Sequence, residues 1–159
     1  MNRQRLLVPI AWLARWLAAT AVTAALGSLV QTQFNMNAIA ALGAPVDMWT
    51  RVVVSVQDLT GFAPLWGVLV GISLLLAFAV AAGISRLKPD VAGWLYPIGG
   101  LAALLTLLGL LHGLLPMTPI AATRSLSGTL LMALPGLVGG WLFLYLKQPS
   151  AEQVQSTSS

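Results

Sequence analysis

Four long apolar runs constrain this chain more than any other feature. They cover residues 6–30, 64–84, 94–115 and 128–146, and a helix needs about 20 predominantly apolar residues to cross the hydrocarbon of a bilayer. Backbone polar groups in lipid must be satisfied internally, so each run is predicted to be a helix. The fold class expected is an all-α integral membrane protein. One four-helix transmembrane bundle fills residues 1–147, and a disordered cytoplasmic tail follows over 148–159, where Ser, Thr and Gln cannot build a core.

Composition points the same way. Hydrophobic residues are 58% and charged residues 8% of the 159, against about 25% charge in a soluble domain, and the mean hydropathy is +0.87. A net charge of +4 raises the question of nucleic acid, but the few cations are scattered along apolar sequence, where their role is to set topology. No nucleic-acid partner is expected. There is no cysteine, which excludes disulfides, thiol nucleophiles, thiolate metal sites and haem attachment.

Orientation is read from Lys and Arg, because positively charged short loops stay in the cytoplasm. With four spans both ends share a side. That side holds Arg3, Arg5, Arg86, Lys88 and Lys147, with Arg15 near the start of the first span, whereas the other holds Arg51 and Arg124. Both termini are therefore expected in the cytoplasm. Segments 32–62 and 116–127 then face outward, into the periplasm if the Ala/Leu/Gly-rich style marks a bacterial inner membrane. A cleaved signal peptide is the competing reading of the N-terminus, with Thr23-Ala24-Ala25 imitating a cleavage site. Arg15 opposes it, since it would interrupt the apolar region, whereas in a spanning helix it can snorkel between Trp12 and Trp16 in the headgroup belt.

Within the spans the legible pattern is small residues at helical spacing. Ala14, Ala18, Ala21, Ala25 and Ser28 line one predicted face of the first helix, and Gly67 with Gly71, Gly109 with Gly113, and Gly136 with Gly140 give each other span a small-xxx-small pair. Close backbone approach is a main source of helix association in lipid. These pairs are assigned to packing within the chain. Pro64 is expected to open the second span, with Gly61 breaking whatever helix precedes it, and Pro135 to kink the fourth.

Between the first two spans, residues 31–62 form the outer interfacial segment. Its first part continues the first helix or turns near Gly43, and residues 46–60 are predicted to form a separate amphipathic helix lying on the bundle by its apolar face, Trp49, Val52, Val53, Val56 and Leu59. A strand through Val52-Val53-Val54 is the less favoured alternative, because no partner strand is present. At about 100° per residue, Arg51 lies roughly 40° and Asp58 roughly 20° around from Asp47, so the three share one stripe.

The candidates for chemistry are sparse. His112 stands without a second His or Cys at ligand spacing, which favours a hydrogen-bonded interhelical histidine over a metal ligand. Asp47 and Asp58 have an arginine between them and no third catalytic group, so acid–base catalysis is disfavoured. Arg124, just before the fourth span, suits a lipid phosphate, a substrate anion, an interfacial anchor or a pair with Asp58. The aromatic residues Trp12, Trp16, Trp49, Trp66, Trp94, Trp141, Tyr96 and Tyr145 read as membrane belts. No metal or cofactor is expected. The function anticipated is non-enzymatic: an accessory or assembly subunit, or a homo-oligomer, whose partners are membrane lipid and other membrane subunits or itself. The alternative is an outer cavity for a lipid, quinone or other amphiphile, lined by Met36, Trp49, Phe62, Trp66, His112 and Met117 and bordered by Arg124.

Overall fold

A computed structural model describes residues 3–114 and 120–147; Met117 and the 148–159 tail lie outside the described residues. Four helices make up nearly all of it: α1 (Arg3–Ala41), α2 (Met48–Leu87), α3 (Ala92–Leu114) and α4 (Leu126–Lys147), with short 3-10 turns at Pro89–Val91 and Ala121–Arg124. Each of the four is long and apolar enough to cross a membrane. No strand occurs among the described residues, and Val52-Val53-Val54 is helical.

The helices come in two lengths. With 23 and 22 residues, α3 and α4 are about 35 Å long, close to the hydrocarbon thickness of about 30 Å, whereas 39 and 40 residues make α1 and α2 about 60 Å long. The excess corrects the reading of segment 46–60. Instead of a separate helix laid across the other spans, it is the beginning of α2, and the chain passes through Gly61 and Pro64 without a break. A helical glycine costs only about 1 kcal/mol. Proline costs about 3 kcal/mol, but Ala63, Trp66, Val70 and Leu74 on the same helix are buried, and a helix in lipid has no solvent to take over its freed backbone groups. Cooperative burial overrides the local stop signal.

α1 ends where a glycine can end it. Leu42 N–H donates to the Ile39 carbonyl and Gly43 N–H to the Ala40 carbonyl, while Gly43 adopts φ +87, a left-handed conformation suited to glycine. After the turn, Asp47 caps α2: its carboxylate accepts the Thr50 N–H at 2.9 Å.

α1 lies against α2 and α4, and α3 lies against the same two helices. Contact between α3 and α4 depends on glycine. A Cβ placed on Gly136 would meet the Gly100 carbonyl, one on Gly100 would meet the Gly136 carbonyl, and one on Gly140 would meet the Tyr96 carbonyl. Gly67 and Gly71 face α1, where a Cβ would come 3.4 Å from the Ala24 Cβ and 3.2 Å from the Thr20 Cγ2. The third pair behaves differently. Gly109 and Gly113 are exposed, and among the described residues nothing packs on them.

The buried face of α1 is also rotated from the expected alanine stripe. Ala14 and Ala21 are exposed and Ala18 and Ala25 half-buried, whereas Ala19, Thr20, Thr23, Ala24, Ser28, Gln31 and Thr32 are buried. A polar group in an apolar interior needs a partner. The Thr23 hydroxyl accordingly donates to the Pro135 carbonyl of α4 at 3.3 Å, and the Gln31 side-chain oxygen accepts the Ala122 N–H at 3.2 Å, tying α1 to the turn before α4.

The aromatic residues divide between interior and surface. Phe78, Tyr96 and Phe143 form a buried cluster with ring centroids 4.5 to 5.7 Å apart, and Trp12 meets Phe143 edge-on at 5.8 Å. Lys147 closes that end, donating to the Tyr96 hydroxyl at 3.0 Å. Trp16 donates to the Gly71 carbonyl at 3.1 Å, and Trp66 is buried and stacked on Phe62. Trp49, Trp94, Trp141 and Tyr145 remain exposed.

Candidate functional site

The bond from Gln31 to the turn before α4 marks the level at which α3 and α4 stop. Past it, among the described residues, only α1 and α2 continue, as a helical hairpin. Ten more residues of α1 reach Ala41, so the hairpin projects by about 15 Å. Side-chain hydrogen bonds lace it together.

Those bonds begin at Thr32 and Asp58. Thr32 is fully buried, and its hydroxyl donates to the Asp58 carboxylate at 2.6 Å, the short distance typical of a hydroxyl on an ionised acceptor; the Ser28 carbonyl lies 2.9 Å from the same oxygen. One turn further out, Gln33 joins both helices. Its amide nitrogen donates to the Ser55 hydroxyl at 3.3 Å and its amide oxygen accepts from Arg51 Nη1 at 3.1 Å, while Arg51 Nη2 donates to Asn37 at 2.9 Å. The Ser55 hydroxyl in turn donates to the Arg51 carbonyl at 2.7 Å.

This arrangement differs from the stripe of paired charges. Asp47, Arg51 and Asp58 are all on the first part of α2, but the helix cap holds Asp47, two amide oxygens hold Arg51, and Thr32 holds Asp58. Hydrogen bonding to Thr50, through its side chain first and then its backbone N–H, keeps the Asp47 carboxyl below the ordinary carboxylate range. Sequence reasoning missed Thr32, Gln33 and Asn37. Their signal was available, since Gln31, Thr32, Gln33, Asn35 and Asn37, five polar residues within seven positions, mark a stretch of an otherwise apolar helix that must find partners.

The other candidates do not gather at one place. Trp49 is 72% exposed near the hairpin tip, which corrects its expected role as a docked anchor. Trp66 is buried against Gly27, and its indole nitrogen, with the Thr20 and Ser28 hydroxyls, has no hydrogen-bond partner among the described residues. His112 is exposed in the last turn of α3, and Arg124 is exposed at the end of the 3-10 turn before α4. No group of three or more His, Cys, Asp or Glu that could hold a metal occurs among the described residues.

Two grooves open on the surface. One of about 450 Å³ lies between α2 and α3 and is apolar except for Ser73 and Thr106, whose hydroxyls are turned back onto carbonyls of their own helices. The other, of about 480 Å³, lies on the hairpin. Its lining combines Leu29, Met48, Val52, Val56 and Leu59 with the polar groups of Gln33, Arg51 and Ser55. Neither groove is lined by His112 or Arg124. No family model matches the chain, and no curated protein or solved structure is significantly similar to it.

Proposed function

We propose that this protein is a non-enzymatic subunit of the bacterial inner membrane that engages another membrane protein through its α1–α2 hairpin. In this reading the four spans form a bundle, both termini are cytoplasmic and the hairpin stands in the periplasm. Its carrying observation is the hairpin itself. A pair of helices is continued about 15 Å past its neighbours and braced by side-chain hydrogen bonds, yet its tip exposes Leu42 (88%), Met48 (76%) and Trp49 (72%). Large apolar side chains clustered on a projecting polar element mark an interaction surface.

Glycine packing supports the same reading from the other side. Backbones in contact at Gly100, Gly136 and Gly140 make the spans a firm base for the hairpin instead of a set of moving gates. The deciding experiment is copurification from native membranes with a tag on the full chain, comparing wild type with a Leu42→Glu/Trp49→Glu double variant. A partner recovered with wild type and lost from a variant of unchanged melting temperature supports docking at the tip. Equal recovery by both moves the docking surface off the hairpin and defeats the proposal.

A further inference from the structure

The hairpin groove carries a second inference, independent of whether the tip docks a protein. Two features define it. Its apolar wall is a stripe of α2, with Leu59 and, from α1, Leu29 at the foot, next to the membrane-crossing part of the chain, and Val56, Val52 and Met48 rising toward the tip. Arg51 lines the same groove, and among the described residues it donates to the neutral amide oxygens of Gln33 and Asn37 and to no carboxylate. The two acidic side chains on this part of α2 are engaged elsewhere, Asp58 by Thr32 and Asp47 by the helix cap, and neither lines the groove.

The side-chain amides therefore fix the guanidinium in place without neutralising it. A half-buried, uncompensated cation beside an apolar trough complements a molecule with an acidic head and a hydrocarbon tail. The size is suitable, because small-molecule sites run from about 300 to 1,000 Å³ and this groove has about 480 Å³. With Leu29 and Leu59 at the foot of the trough, beside the membrane-crossing part of the chain, the adjacent leaflet is the source of such a molecule. Eight residues separate Arg51 from Leu59, about 12 Å along a helix, whereas each interfacial layer of a bilayer is only about 5–8 Å deep.

We infer that the α1–α2 groove binds one anionic phospholipid of the adjacent leaflet, its phosphate at Arg51 and an acyl chain along Val56, Leu59 and Leu29. A lipid held this way stands a few ångströms out of the leaflet, with one chain on protein instead of on other lipids.

The full chain in neutral detergent tests this, with phosphatidylglycerol or phosphatidylcholine of identical chains added and retained lipid read by native mass spectrometry. Wild type should keep one phosphatidylglycerol per chain and bind phosphatidylcholine about tenfold more weakly, because both lipids bring a phosphate to Arg51 but the choline ammonium offsets that charge and is repelled by the guanidinium. Arg51→Gln should bring phosphatidylglycerol down to the phosphatidylcholine level. Because Arg51 also braces the hairpin, Val56→Trp supplies the second arm: it fills the trough without touching any bond to Gln33 or Asn37, and should abolish retention at an unchanged melting temperature. Equal retention of the two lipids by wild type would overturn the inference. So would full phosphatidylglycerol retention in a folded Arg51→Gln variant or in Val56→Trp. If Arg51→Gln does not fold, Val56→Trp decides.

Discussion

Glycines of the same type carry opposite consequences here, and their surroundings decide which. At Gly136 and Gly140 an added Cβ would meet the backbone carbonyls of Gly100 and Tyr96, and backbone cannot swing aside as a side chain can. Gly136→Ala and Gly140→Ala should each cost about 1–3 kcal/mol through overpacking, read as a lowered melting temperature in detergent. Gly109→Ala, with open space around it, should be neutral or stabilising by up to about 1 kcal/mol from helix propensity. Equal effects at the three positions would contradict the α3–α4 contact. Asp47 gives a pH prediction at the same scale. Its pKa is lowered by hydrogen bonding to Thr50, so its contribution is fully present above the ordinary carboxylate value of about 3.9 and is lost as pH falls through the lower folded value. Amide exchange in the first turn of α2, corrected for intrinsic rate, should quicken in acid in wild type. In Asp47→Asn that acid step should vanish, and Asp47→Ala should exchange fast at every pH.

At the scale of elements, side-chain bonds between α1 and α2 brace the hairpin alongside apolar contact, with Met36 buried in it. The short Thr32 to Asp58 bond is its inner clasp. A double-mutant cycle with Thr32→Val and Asp58→Asn should show coupling of up to about 1.5–3 kcal/mol, the range for a hydrogen bond to a charged group. Strict additivity in thermal stability would mean that the clasp does not form. Trp49→Ala should change stability by no more than about 0.5 kcal/mol, as for other exposed positions, because the ring is turned away from the chain. A large loss would return Trp49 to a docked role. α1 also shows why a stripe of small residues misleads. Ala14 and Ala21 face outward at no cost in lipid, whereas Thr23 and Gln31 must turn inward to reach the Pro135 carbonyl and the Ala122 N–H.

Across the whole molecule orientation is directly testable, since the chain contains no cysteine. A single cysteine at Asp58 should react with a membrane-impermeant thiol reagent in spheroplasts, and one at Lys88 should react only after lysis, as the Lys and Arg asymmetry requires. The reverse pattern would invert the protein and put the lipid groove on the cytoplasmic leaflet. Because the groove and the hairpin tip are at the same end, either result moves both together.

Four spanning helices, the turn at Gly43 and the all-helical class were legible in the sequence, because run length, hydropathy and glycine punctuation are local properties that burial in lipid only reinforces. Hidden from it was the continuation of α2 through Gly61 and Pro64, where the burial of Trp66, Val70 and Leu74 outweighs a local helix-stop signal. The partners of the charges were hidden too. Spacing alone put Asp47, Arg51 and Asp58 in one stripe, but which groups answer them depends on the register between α1 and α2, and that register brings Thr32, Gln33 and Asn37 opposite them. In a membrane, hydrophobicity says which segments are inside the bilayer but hardly which face of a helix is inside the protein. Only the tertiary contacts decide the second, through glycine fit and the partners that buried polar groups require.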